Sequence, residues 1–303
     1  MKLVTFERDG KERVGAVRDG LVVDLGLDGG MLDLIDAGEE GLAAARAALA
    51  KAPAGAGLKE GAVRLKAPLP NPRALRDFFA FEDHAKAGAA RRNEPMAKEW
   101  YEQPVYYKGN HREIYGPGDL LPWPAYTRKL DFEFEVCAVV GKKGRDIHVA
   151  EASRHIFGYC IMNDLSARDV QKNEMVCRMG PAKGKDFGTV LGPYLVTADE
   201  CDGTIPPLKV RVNGEEWSAS DGLQPYWGFP VMLSHVSQGE TVYPGDLLGS
   251  GTYFKGCGLD QDRWLKTGDL LELDAGPLGV LRNIVGAPKG QVHLKYNRDG
   301  SYA

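Results

Sequence analysis

The run D-F-E-F-E-V-C-A-V-V, Asp131 to Val140, constrains this chain more than any other stretch. Its alternation of apolar and charged residues predicts a strand, in which successive side chains point to opposite faces. Glu133 and Glu135 then share one face about 7 Å apart. Phe132, Phe134, Val136 and Ala138 share the other and turn toward a core. The pattern predicts a half-buried strand that presents two carboxylates side by side. Like charges this close repel, and a cation between them removes the repulsion. Hard oxygen donors from two or three carboxylates suit Mg2+, Mn2+ or Ca2+ better than zinc.

An E-x-E pair alone most often marks a solvated strand face, so its companions decide the reading. G-Y-C-I-M-N-D-L-S-A-R-D-V-Q, Gly158 to Gln171, supplies Asp164 directly after an apolar, strand-like run. Asp164 and Asp169 bracket Arg168 among apolar or small residues, and charges in such settings are usually paired or metal-bound. K-G-K-D-F-G-T, Lys183 to Thr189, adds Lys185 between small residues.

At 303 residues the chain has room for one large or two modest domains. A net charge of -4 argues against nucleic-acid binding, which calls for a basic face. M-K-L-V-T-F-E-R-D-G lacks a signal-peptide core, and no uncharged apolar run approaches membrane-spanning length. A soluble, cytoplasmic protein without membrane contact is expected. The five cysteines show no C-x-x-C spacing, so reduced and mostly buried thiols are expected.

Met1 to Leu25 carries two turn signals, Asp9-Gly10 and Asp19-Gly20, and predicts a meander of antiparallel hairpins. Alanine-rich Gly41 to Lys51 predicts a helix. Lys66 to Arg73 holds three prolines and reads as a connector. A small N-terminal β-rich domain over residues 1–65 and a larger domain over residues 66–303 are expected. Further on, Asn213-Gly214 signals a two-residue hairpin, and Pro230 opens an expected helix. Tyr243 to Thr252 reads as a strand ending in a glycine-flanked turn, whose backbone N–H groups can approach an anion. Many short strands and few long helical patterns give a β-rich α+β fold. Gly180 to Asp186 imitates a phosphate loop, but its glycine spacing is one residue short and Asp186 stands at the Ser/Thr position.

Taken in order, E-F-E, N-D-L-S-A-R-D-V-Q, G-K-D-F-G-T and G-D-L-L-G-S-G-T resemble the fumarylacetoacetate hydrolase family, from about Pro70 to Val285. Their joint spacing is more specific than any one motif. The resemblance implies a mixed β-sandwich roll for the C-terminal domain, a homodimer, and a divalent cation held by Glu133, Glu135 and Asp164. It implies Asp77 as a further ligand and His84 as the general base, although a lone histidine is by itself more often structural. Tyr107 matches a substrate-contacting tyrosine, and Thr252 a threonine near the substrate carboxylate. Phe79 and Met175 stand where the family's hydrolase of fumarylacetoacetate has tyrosines, so a less polar or differently shaped acyl end is expected. That hydrolase also supplies a glutamate well after the G-S-G-T turn. Here Asp260 is the nearest acidic residue and Lys266 stands where counting leads, so Glu82 or Asp83 is the expected acidic partner of His84. Gly88, Ala89, Ala90 and Pro95 suggest a mobile covering segment.

With a cation in place, two oxygens of a 2-oxo acid or 1,3-diketone would chelate it, and the enolate formed when a carbon–carbon bond breaks would be stabilised. Arg168 offers a fork for a carboxylate, and Lys185 would stabilise developing charge. Gln171 and Thr252 would orient the substrate, and His84 would deprotonate the attacking water. The expected activity is metal-dependent hydrolysis of a 1,3-diketo acid of the acylpyruvate or fumarylacetoacetate kind. Decarboxylation of a 2-oxo acid, or dehydration of a sugar-derived acid, is the alternative enzyme. A non-catalytic protein with a structural calcium site is the third, and it would have no need of Arg168 and Lys185.

Overall fold

The computed structural model describes residues 1–290 and 293–302. Strands Lys2–Arg8, Lys11–Arg18 and Leu21–Asp24 form the expected meander. Both central residues of its turns are left-handed, with φ of 51° and 70° at Asp9-Gly10 and 53° and 74° at Asp19-Gly20. Such turns match the twist of the strands they join. The Asn213-Gly214 turn has the same form and joins Leu208–Val212 to Glu215–Ser220. The alanine-rich helix spans Gly38–Lys51, with Glu39 and Glu40 in its first turn, where negative charge is favoured. Pro230 lies in the first turn of the helix Phe229–Ser237.

Among the described residues, twelve strands build one large sheet and five a second. From the N-terminal meander the large sheet runs through Thr189–Thr197, Ile156–Asp164, Phe134–Val140, Asp246–Gly249 and Ala74–Phe78 to Tyr106–Gly109. The meander joins it where Lys2 and Leu3 pair with Val196 and Leu195. The architecture is the expected β-rich α+β arrangement.

The strand Phe134–Val140 lies near the middle and is buried at every residue. On one face Phe134, Val136 and Ala138 pack with Leu208, Val210, Leu271 and Leu273 of the second sheet and with Met232 and Leu233 of the helix Phe229–Ser237. On the other, Cys137 and Val139 share a core with Leu3, Met31, Leu34 and Ile35. The expectation of a half-buried strand is therefore corrected. Its second face is roofed at Cys137 and Val139 by the N-terminal elements, and Glu133 and Glu135 are buried as well, so they must be paired, protonated or ligated.

Candidate active site

Asp77, Glu133, Glu135 and Asp164 are all buried, and each offers a carboxylate oxygen within 4.8 Å of the others. Strand order explains how two of them meet. Gly249 pairs with Cys137 on one side and with Asp77 on the other, so a glycine strand separates the strands that carry Glu135 and Asp77. A Cβ on Gly249 would lie 2.5 Å from Asp77 Oδ1 and 2.9 Å from Glu135 Oε2. Its missing side chain is the slot into which both carboxyls lean. Asp164 ends the strand on the far side, and Glu133 is steadied by a backbone bridge to Cys257.

Two cations serve this cluster unevenly. Lys185 donates hydrogen bonds to Glu133 Oε2 and Asp164 Oδ2. Burial alone would lower the Lys185 pKa, but Asp164 and Glu133 outweigh it and hold the ammonium above its usual range. Burial would likewise raise Glu133, yet Lys185 and Arg168 keep it well below. Asp77 feels Lys185 only as a lesser influence, and Glu135 has no such neighbour. Burial, then the charges around them, pushes both well above the usual carboxylate range. Asp77 Oδ1, Glu135 Oε1 and Asp164 Oδ1 are buried without hydrogen-bond partners. With Asp131, five buried carboxylates face the buried Arg168 and Lys185, which leaves negative charge unmatched. Orphaned hard oxygens with surplus negative charge fit a divalent cation.

Arg168 opens the helix Arg168–Val176, an element the sequence pattern does not announce. Its Nε donates to Asp131 Oδ2 at 2.8 Å, Nη1 donates to Gln171 Oε1 at 3.1 Å, and Nη2 lies 2.9 Å from Glu133 Oε1. The guanidinium expected to fork onto a substrate carboxylate is thus hydrogen-bonded within the protein through Nε and Nη1, while Nη2 has only its ion-pair contact with Glu133 and no hydrogen-bond partner among the described residues. Asp131 was not singled out, and it is a junction. Fully buried, it accepts hydrogen bonds from the amides of Phe132, Gly258 and Leu259 as well as from Arg168. The signal was present, because alternation puts Asp131 on the face of Glu133 and Glu135.

His84 lies on the helix Glu82–Arg91 and is 6% exposed. Its Nδ1 sits 2.8 Å from Asp260 Oδ2, and Asp260 also accepts from Arg91 Nη1 at 2.7 Å and from the Lys255 amide at 2.9 Å. The expected partners Glu82 and Asp83 are corrected to Asp260. Neighbours one and two positions away on a helix do not face each other, and Glu82 instead accepts from Tyr101 and pairs with Lys86. Gly88, Ala89 and Ala90, expected in a covering loop, belong to the same helix, with Gly88 and Ala89 buried.

Burial would raise Asp260, but His84, the Lys255 amide and Arg91 outweigh it and hold it at about 2. A depressed pKa contributes stability above the unfolded value of 3.8, and that contribution fades as pH falls toward about 2. Its size is on the order of 2 kcal/mol. Asp260→Asn is expected to lose that part of the acid limb in urea titrations between these pH values. An unchanged limb would show that the ion pair contributes nothing.

Tyr107 donates to Asp164 Oδ2 at 2.8 Å. Thr252 donates to the Phe134 carbonyl at 2.9 Å, and the adjacent Gly251 amide meets Glu135 Oε2 at 2.9 Å. The glycine turn does approach an anion, and that anion is the protein's own carboxylate. The same holds for the phosphate-loop imitation, where Glu174 accepts from the amides of Ala182, Lys183 and Gly184. Glu174 thereby folds the loop that aims Lys185. Phe79 stands edge-on to His84 with ring centroids 5.4 Å apart, and Met175 is half exposed.

Residues 73–286 match the family model described as fumarylacetoacetate (FAA) hydrolase, C-terminal. The chain belongs to the fumarylacetoacetate hydrolase family. Human mitochondrial oxaloacetate tautomerase FAHD2A is 33% identical over 264 residues, which cover 84% of this chain and 79% of that protein. Oxaloacetate tautomerase YisK of Bacillus subtilis is 30% identical over 229 residues, covering 74% and 73%. The solved fumarylacetoacetate hydrolase of Exiguobacterium antarcticum superposes with a TM-score of 0.77 at 29% identity, covering 95% of this chain and 99% of that one. Family and fold are those the motifs implied, and the chain is an enzyme of this family. Tautomerisation, the activity named for two of these relatives, differs from the hydrolysis, decarboxylation and dehydration that the motifs imply. Among the described residues no helix is long and apolar enough to cross a membrane.

Proposed function

We propose that this enzyme converts a small 2-oxo acid through its enolate, with Asp77, Glu133, Glu135 and Asp164 holding a divalent cation and His84 moving the proton. The buried His84–Asp260 pair beside four carboxylates, three of which have an orphaned oxygen, carries this reading. When bound, the cation would polarise the 2-oxo group and stabilise the enolate charge. Asp260 accepts a hydrogen bond from Nδ1–H and so leaves Nε2 free to take a proton from the carbon next to the oxo group. Lys185 and Arg168 keep Glu133 ionised, and Tyr107 orients Asp164. The reaction we assign is keto–enol interconversion of a 2-oxo diacid of the oxaloacetate kind, supported by relatives of that activity matched over most of the chain.

Hydrolysis of a 1,3-diketo acid, the reaction expected from the motifs, is the second reading. It uses the same pair, with His84 taking its proton from water, and a fumarylacetoacetate hydrolase shares the fold at 29% identity. Decarboxylation needs no such base, and a structural calcium site would leave His84 and Asp260 without a task. The test is a panel of enol oxaloacetate, acylpyruvates and fumarylacetoacetate, followed by ultraviolet absorbance with Mn2+ or Mg2+ and again in EDTA. Metal-dependent decay of the enol faster than any diketone cleavage supports the tautomerase. Preferential cleavage of a diketone into two acids puts the hydrolase in its place. Release of carbon dioxide from oxaloacetate as the sole reaction sinks both.

Gly249→Ala tests the slot between the ligand strands. The added methyl would also sit 2.3 Å from Met162 Cε. It is expected to cost about 1–3 kcal/mol in thermal unfolding and to weaken Mn2+ binding measured by calorimetry. Unaltered affinity would show that Asp77 and Glu135 do not need the slot.

A further inference from the structure

Cys257 is a buried thiol at this site that the proposed reaction leaves idle. It is fully buried, and among the described residues its sulfur makes no hydrogen bond. Its backbone bridges Glu133, and Asp131 holds the amides of the next two residues, so the thiol is anchored from both sides. Its Sγ, an imidazole nitrogen of His84 and a carboxylate oxygen of Asp260 lie within 4.8 Å of one another. The four-carboxylate cluster beside them offers only oxygen.

Donor softness separates the two clusters. All-oxygen sites suit Mg2+ and Mn2+, whereas sulfur with imidazole and carboxylate suits Zn2+ and its heavier congener. Three protein ligands also leave one tetrahedral position open for water. We propose that Cys257, His84 and Asp260 form a second cation site, which takes a thiophilic divalent ion such as Zn2+ or Cd2+ while the carboxylate cluster holds its harder ion. On binding, the Cys257 thiol proton passes to solvent, the His84 proton facing Asp260 leaves Nδ1 while Nε2 takes one from solvent, and the His84–Asp260 hydrogen bond is exchanged for one bond from each residue to the ion. Arg91 keeps its hold on the other oxygen of Asp260. No electron transfer is involved. A histidine whose ring is ligated and whose orienting partner has been withdrawn no longer works as a base, so occupation of this site inhibits the enzyme.

The test uses Mg2+-saturated enzyme in which the exposed Cys177 and half-buried Cys201 are replaced by serine. Titrated Cd2+ is expected to raise a near-ultraviolet thiolate-to-metal absorption band that saturates at one equivalent, with activity lost over the same range. Adding Cys257→Ser should abolish the band, weaken Cd2+ binding roughly tenfold or more, and leave turnover with Mg2+ alone intact. Should that variant fold poorly, His84→Ala keeps the sulfur and is expected to retain a band that saturates at tenfold or higher Cd2+. No band in the parent, or one indifferent to both substitutions, overturns the site. The inhibition rests on the reading of His84 as base. A stoichiometric band without inhibition would keep the cation site and overturn that reading.

Discussion

His84→Ala is expected to lower kcat about 10²–10⁴-fold, the usual contribution of a positioned general base, while Mn2+ affinity stays near that of the parent. His84 is not one of the four clustered carboxylates, so the cation and the chelating end of the substrate keep their partners. Asp260 stays ion-paired to Arg91 and hydrogen-bonded to the Lys255 amide, so the substitution leaves no bare buried charge. Steady-state turnover with Mn2+, alongside calorimetric Mn2+ binding, separates the two effects. A variant with full turnover would remove the base from the mechanism and leave decarboxylation as the enzymatic reading. Loss of Mn2+ binding together with activity would place His84 in the ligand set.

Glu135→Gln should show opposite signs with and without the cation. The substitution keeps size, and the amide oxygen can still accept from the Gly251 amide. Burial and then Asp77 raise Glu135, and burial and then Asp164 raise Asp77, each above ordinary values of 4.5 and 3.8. A carboxyl whose folded pKa is raised contributes stability below its unfolded value and loses it as pH rises through the folded one. In EDTA near neutral pH the pair therefore weakens the parent protein, and the variant is expected to melt at the same temperature or higher. Saturating Mn2+ reverses the order. An ion at about 100 times its Kd stabilises the parent by about 2.7 kcal/mol, a gain the variant largely forgoes along with about 10²-fold or more of its turnover. Identical melting shifts in both proteins would exclude Glu135 from the cation site.

Much of the carboxylate cluster could be read from the chain because its logic is local. Alternation with period two puts Glu133 and Glu135 on one face whatever the rest of the fold does, and Asp164 follows an apolar run that could only be an inner strand. The same period covers Asp131. Other features depend on distance. Asp260 stands 176 residues from His84, and no spacing rule links them. Arg168 and Lys185 stand out in the sequence as charges among apolar or small residues, but their partners do not, since Asp131, Glu133 and Asp164 reach them only through strand order. Burial of the second face of Phe134–Val140 was hidden for a related reason. A strand's own pattern does not report that the N-terminal meander extends the same sheet and that its helix residues pack beneath it.

Gly249 separates the Asp77 and Glu135 strands as an empty lane, and that arrangement bears on kinetics. The carboxylates arrive from segments far apart in the chain, and the lane exists only after the strand Asp246–Gly249 has slipped between its neighbours. Until then there is no concave set of oxygens for an ion to recognise. A cation that binds there acts late, holding closed a sheet already assembled, so it slows opening and does little to speed assembly. An ion bound there would be a latch on the finished fold, not a guide toward it.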